Sequence, residues 1–471
     1  MGCQTTTPTT FAPSTRYHQQ WNTHQVSSRR QDKKSIKNND LNHDHIQANQ
    51  HAQNGQPAKT KTKTKTTKTI KTLIEGAAEH HPSLRAEHAA WLAQTHRANQ
   101  ALYTLPFPTL TYTFAPLPIE TRLGAQKHSV AISQMLPWPG QNKLSHQVLT
   151  LAAEAREHTF DQTYLSLRFQ ITRAYWTLWA NQQRQALVNQ QITLIQSIIQ
   201  TAQVSVSTGK QPASNLAQLS MKETRQVDKL AALQSSQDTL GKSLMLLSEG
   251  DLNNYNISDF EQVFRAQPPL SPPSITPRDV LAGEPPPHIL ALLTRQKSIE
   301  QKLARQKLDQ RPSILLGAQW SQIENNTSLP APEAGRDAIM LKVGFTLPVW
   351  QKQLRAKADE IEAQTLENQY KIEQARLDWE QELHTTYDAI LDTSRHLELL
   401  ENTLMPQAKS SFELTLGDYT SAQTSVASLL NAMDDLLSIQ LEVVDTKMKL
   451  ANLLAYWEFI TATPHTTGGA Q

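Results

Sequence analysis

Histidines at positions 80, 81, 88 and 96 recur at spacings a helix could gather, and His43 and His45 stand close together upstream. Imidazole suits zinc and copper, so a metal site is the first chemistry to consider. The helical group has no other obvious ligand nearby, and no metal site is expected from it. Cys3 is the only cysteine, which excludes an intrachain disulfide framework and a cysteine zinc cluster. Its setting, Met1-Gly2-Cys3-Gln4, leaves three readings open. It matches a myristoylation pattern with Thr6 in the hydroxyl position, it fits the remnant of a bacterial lipoprotein signal in which the cysteine takes the lipid, or it is a cysteine without a role. No phosphate loop, nucleophile elbow or metalloprotease motif is present, and the carboxylates are spread as helix-surface charge. Neither an enzyme nor a cofactor is expected, so function must lie in the architecture.

Two stretches dominate that architecture. Gln141 to Gln211 and Trp350 to Met405 contain no proline, and the only internal glycine is Gly209. They follow similar phrases, Leu-Pro-Trp-Pro-Gly at 136–140 and Leu-Pro-Val-Trp at 347–350. Helix interiors tolerate neither proline nor glycine cheaply, so the first stretch predicts a rod on the order of 100 Å long. That such a rod occurs twice predicts an internal duplication. The chain's 15 glycines in 471 residues, against a usual share of roughly 7%, fit a helical protein with rigid junctions.

Charge is divided unevenly along the chain. Residues 1–74 carry twelve Lys or Arg and three Asp, leaving 33 basic and 40 acidic residues for the remainder. The front part is rich in Asn, Gln, Thr and His and ends in a Lys-Thr tract from Lys59 to Lys71, with too little apolar surface to fold. A disordered tail over 1–75 is expected, and with few aromatic residues in it, no nucleic-acid partner.

Short strands flank the rods. Leu110, Tyr112 and Phe114 alternate with threonines, and Val130 and Ile132 alternate with Ala131 and Ser133. In the second half Ile314, Leu316, Ala318 and Trp320 share one face, and Ile339, Leu341, Val343, Phe345 and Leu347 oppose Met340, Lys342, Gly344 and Thr346. Period-two alternation gives strands with one apolar and one polar side, the patterning of a membrane barrel. No apolar run approaches the roughly 18 residues a spanning helix needs, so any crossing must use a closed barrel. Four strands cannot close one. Three copies supply twelve, so a homotrimer follows if the strands span a membrane.

The rods carry heptad seams. Val188, Ile192, Ile195, Ile199, Ala202 and Val206 step by four and three after a phase slip from an earlier series beginning at Leu144. Leu429, Met433, Leu436, Gln440, Val443, Lys447, Leu450, Leu454 and Trp457 do likewise. Such spacing predicts neighbouring helices packed nearly parallel. The rods must turn back at 206–212 and 419–425, giving two helical hairpins.

The order of helix, strand pair, long hairpin, linker, and the same again resembles the TolC-type outer-membrane factor family. Ser-Gln-Met-Leu-Pro-Trp-Pro-Gly-Gln (133–141) is similar to the strand-to-helix junction of its heavy-metal efflux branch, and 206–216 and 419–432 resemble its hairpin tips. The likeness covers about 80–462. It implies a mainly helical fold in which four strands per chain contribute to a 12-stranded trimeric barrel in the bacterial outer membrane, continued by a periplasmic helical tunnel. It further implies a passive gated exit duct for heavy-metal ions or small toxic molecules, docked to a periplasmic adaptor and an inner-membrane pump. The matching domains are a tail (1–75), a first repeat (76–250), a proline-rich linker (251–286), a second repeat (287–462) and a disordered end (463–471).

At the tips the likeness is partial. Glycine is usual at both turns of the family; Gly209 matches, followed by Lys210, but Ala422 occupies the second position. Tyr419 matches a tyrosine that helps tie the closed tunnel end. The positions where the family is acidic are Asn215, Ser428 and Asn431 here, so a strongly charged gate ring at those positions is not expected. Asp434 and Asp435 lie about a turn deeper, and in a trimer either would form a carboxylate ring selecting cations, unless both sit on a solvated helix face. A structural coiled-coil protein whose strands form a soluble domain is the other reading of the whole chain.

Overall fold

The computed structural model describes residues 69–121, 124–208, 212–249, 251–253, 255–325, 335–421 and 423–463. The first repeat comprises α1 (Ile70–His80), α2 (Pro82–Leu102), β1 (Thr109–Thr121), β2 (Gly124–Leu136), α3 (Gln141–Ser207) and α4 (Ala213–Glu249). After a short 3-10 turn (Ile257–Phe260), α5 (Glu261–Arg265) and α6 (Pro277–Leu281), the second comprises α7 (Pro287–Asp309), β3 (Ile314–Ile323), β4 (Ala338–Phe345), α8 (Gln351–Leu399), a π-helical turn (Leu400–Leu404), α9 (Met405–Thr420) and α10 (Val426–Thr461). Two compact units emerge, one built from residues up to Ala86 with Phe160–Pro287 and Leu377 onward, the other from Glu87–Thr159 and His288–Arg376.

Most of the expected tail, 1–68, lies outside the described residues, as does 464–471. Its last part departs from expectation, because α1 already begins at Ile70. Thr69 caps it: its side-chain oxygen accepts from the Thr72 amide, and the Thr72 hydroxyl oxygen accepts from the Thr69 amide. Leu73, Ala77 and Ala78 then enter the core of the first unit, beside Phe160, Ile171, Leu178 and Leu244. The linker is likewise more than a connector, since Phe260 and Val263 are fully buried in that core. Tyr255 reaches α4 at Gly241, where a Cβ would lie 2.5 Å from the tyrosine hydroxyl; only glycine leaves that space.

In the second unit the four strands form one antiparallel sheet in the order β1-β2-β3-β4, so the strand pairs of the two repeats join through β2 and β3. At the first strand-to-helix junction Gly140 adopts φ +91°, a conformation side chains resist, and its carbonyl accepts from the Leu144 amide to start α3. The second junction needs no such residue: the Gln351 side chain donates to the Pro348 carbonyl at 2.8 Å as α8 begins.

The predicted seams are occupied in the first unit. Val188, Ile192, Ile195, Ile199 and Ala202 of α3 are buried, as are Leu429, Met433, Val443, Leu450, Leu454 and Trp457 of α10. The structure adds a third seam that the sequence pattern does not mark. Trp379, Leu383, Thr386, Ile390, Thr393 and Leu397 of α8 and Leu400 just after it are buried, stepping by four and three. The next buried residues are Ala408, Phe412 and Tyr419, so between Leu400 and Ala408 the step is eight instead of seven. The π-helical turn opens that gap, and Pro406, which lacks an amide hydrogen, follows it after Met405. A π turn absorbs one extra residue, which lets the helical path continue past a proline that would otherwise break it.

Candidate functional site: the hairpin tips and the strand faces

At the tips, four helices of the first unit converge. Ile195, Ile198, Ile199 and Ala202 of α3, Leu219 of α4, Phe412 and Tyr419 of α9, and Val426, Leu429 and Met433 of α10 form one apolar cluster. The first turn closes with the Thr208 amide donating to the Val204 carbonyl, and α4 resumes after Pro212. At the second turn the Gln423 amide donates to the Asp418 backbone carbonyl, and Ser425 caps α10 by accepting from the Ser428 amide. Gly209, Lys210 and Ala422 lie outside the described residues, as does Cys3. The Tyr419 side chain packs within the apolar cluster and is only 4% exposed.

The constriction candidates separate. Ser428, Asn431 and Asp435 are exposed and Asn215 is half-buried. Asp434 is engaged: the Lys222 ammonium donates to it at 2.5 Å, joining α4 to α10. Two further pairs tie α3 to α10, Arg184 to Asp445 at 2.6 Å and Arg168 to Glu458 at 2.7 Å. In all three the first hairpin supplies the cation and α10 the carboxylate. Each is partly solvated, so each contributes at most about 1 kcal/mol. No sequence signal marks these pairs, because distant charges reveal a pairing only once helix register is known. Within the first hairpin, Gln196 donates to Glu223 at 2.8 Å.

Among the described residues the histidines do not assemble, and His43 and His45 lie outside them. His80 contacts the Gly76 carbonyl, His81 the Ser83 hydroxyl at 2.7 Å, and His88 lies against the Trp91 ring. Among the described residues no group of three or more His, Cys, Asp or Glu is placed to hold a metal ion. No helix among them is long and apolar enough to cross a membrane.

The sheet is different. Its register aligns Leu110, Ile132, Ala318 and Leu341 in one row, and Tyr112, Val130, Trp320 and Ile339 in the next. These side chains are left open; Leu341 is 82% and Ile339 77% exposed. The opposite face holds Thr109, Ser133, Gly317 and Lys342, then Thr111, Ala131, Gln319 and Met340, then Thr113, Ser129, Ser321 and Ala338. An exposed apolar face of this extent requires a non-aqueous neighbour. Both edge strands, β1 and β4, also present unpaired ladder groups.

No protein-family model and no curated protein matches the chain. Solved structures do. The outer membrane protein VceC of Vibrio cholerae superposes with a TM-score of 0.66 at 16% identity, covering 84% of this chain and 96% of that one. CusC, whose structures concern transmembrane channel formation, gives 0.67 at 13% identity over 84% and 92%. The Campylobacter jejuni outer membrane channel CmeC gives 0.64 at 13% identity over 88% and 90%. The chain has the fold of outer-membrane channels, including the long helices and small antiparallel sheet expected from its sequence.

Proposed function

We propose that this chain is a TolC-type outer-membrane factor, acting as the outer-membrane exit duct of a tripartite efflux system. The observation that carries the reading is the sheet, with large apolar side chains open on one face, mostly hydroxyl, amide and small side chains with Lys342 on the other, and an edge strand on each side. Three copies joined edge to edge give twelve strands, with the apolar face against lipid and the polar face around water. The strand-to-helix junctions then carry the path into a helical tunnel reaching the periplasm, and the hairpin tips at 206–212 and 419–425 meet a periplasmic adaptor coupled to an inner-membrane pump. The duct is passive: solutes diffuse, and the pump supplies the energy. Its cargo would be small toxic solutes, heavy-metal ions among them. A lipid on Cys3 would add an anchor.

The closed state is held by the apolar tip cluster together with the three ion pairs between hairpins, and opening separates the hairpins there. Heat-labile trimers in detergent and single-channel conductance in planar bilayers test the reading. A soluble monomer without conductance would overturn it in favour of a coiled-coil structural protein.

A further inference from the structure

We propose that Lys342 makes the lumen of the strand barrel prefer anionic solutes, as a ring of three positive charges at one depth. This rests on the barrel reading above and adds the charge class of the cargo to it.

The three polar rows of the sheet hold no carboxylate, and Lys342 is the one charged side chain in them. It is exposed and donates to the Gln319 side-chain oxygen. That oxygen belongs to a neutral amide, so the bond orients the ammonium and leaves its charge in place. Gly317 lies opposite Lys342 and Gly344 two residues along the same strand, so no side chain at those positions crowds the lysine stem. Lys127, Glu324 and Asp337 stand outside the three rows, toward the strand ends. Lys127 pairs with Glu324 at 2.9 Å. Asp337 accepts from the Trp320 indole and the Ile323 amide.

Rotation about a threefold axis would place three copies of Lys342 at equal height on the wall. Rings of like charge set the sign preference of a pore. With a screening length of about 10 Å at 0.1 M salt, the ring acts on ions near the wall and fades as salt rises. A bare divalent cation would be repelled there, whereas an organic anion or a metal in an anionic complex would be favoured.

The test is the reversal potential of purified trimers in planar bilayers under a potassium chloride gradient. The parent protein should lie toward the chloride potential, Lys342→Arg should match it, and Lys342→Gln should lower the chloride-to-potassium permeability ratio by roughly twofold. Lys342→Glu should move it further toward potassium. In the parent alone, the anion preference should shrink between about 0.1 M and about 1 M salt, which checks the ring without any variant. Conducting Lys342→Gln trimers with the parent's reversal potential, or a preference insensitive to salt, would overturn the ring and leave the duct standing. A parent protein that neither trimerises nor conducts would overturn the barrel reading and the ring together.

Discussion

The Lys222 ammonium of α4 donates to the Asp434 carboxylate of α10, so one of the two carboxylates that an expected gate ring would use is already paired between the hairpins. Lys222 is the more enclosed partner, with 18% of its side chain exposed against 46% for Asp434. Replacing either residue, as Lys222→Met or Asp434→Asn, should cost about 0.5–1 kcal/mol in thermal unfolding and raise the open fraction in single-channel records. The double variant should cost less than the sum of the singles. Strict additivity would mean that the pair does not couple.

Asp435 is the carboxylate that remains exposed. Asp435→Asn should therefore change ion preference at low salt more than Asp434→Asn does, without the gain in open fraction. Equal shifts in reversal potential from the two variants would reject this division of roles.

The two faces of the sheet should respond oppositely to charge. Leu341→Lys places an ammonium on the apolar face and should cost about 2–4 kcal/mol of membrane stability, visible as loss of heat-labile trimer from outer-membrane fractions. Thr111→Lys, on the polar face, should assemble normally. Equal yields from the two would contradict a lipid-facing row.

Acidification should loosen the protein before its carboxylates titrate. Burial lowers the pKa of His288, and of His81 at the equivalent helix start of the first repeat, below the usual 6.5. The folded state thus binds these protons less readily than the unfolded chain. The stability is full above about pH 6.5 and is lost as pH falls through the lower folded values. Asp279, whose carboxylate accepts from the Thr276 hydroxyl and amide, is also lowered, but from 3.8, so its contribution fades only at more acidic pH. The melting temperature should drop as pH falls below about 6.5, and His288→Gln should flatten that slope. An unchanged slope would assign the effect elsewhere.

Gly241→Ala should push the Tyr255 ring off α4, destabilising the first unit by about 1–3 kcal/mol. Adding Tyr255→Phe removes the hydroxyl that lies closest and should recover part of that loss. No recovery would locate the clash at Ile257, whose side chain comes within 3.0 Å of the same point.

Periodicity made the rods, the strands and the seams of α3 and α10 legible, because each buries one face over many residues. Short elements were harder to see. The apolar positions of α1 span only eleven residues beside a Lys-Thr tract, and Phe260 and Val263 sit among prolines and asparagines that dilute their signal. The α8 seam was obscured because Thr386 and Thr393 occupy buried positions in it. At the tips, the burial of Tyr419 in one cluster with Leu429 and Met433 depends on four chain segments meeting. The ties from Lys222, Arg184 and Arg168 join residues more than 200 positions apart, beyond any local pattern.

The π turn at Leu400–Leu404 acts as a one-residue frame change within a single helical path. A heptad ruler laid from Trp379 would assign Gln407 to the inside of the tip, and the inserted residue puts Ala408 there. Were the turn to wind as ordinary α-helix with every residue kept, all from Met405 to the tip would rotate by about 100°. Gln407, Ser411 and Asp418 would then face inward in place of Ala408, Phe412 and Tyr419. The two ends of this path can thus diverge in sequence independently, each keeping its own frame, as an indexing notch lets two gears of different pitch share one shaft.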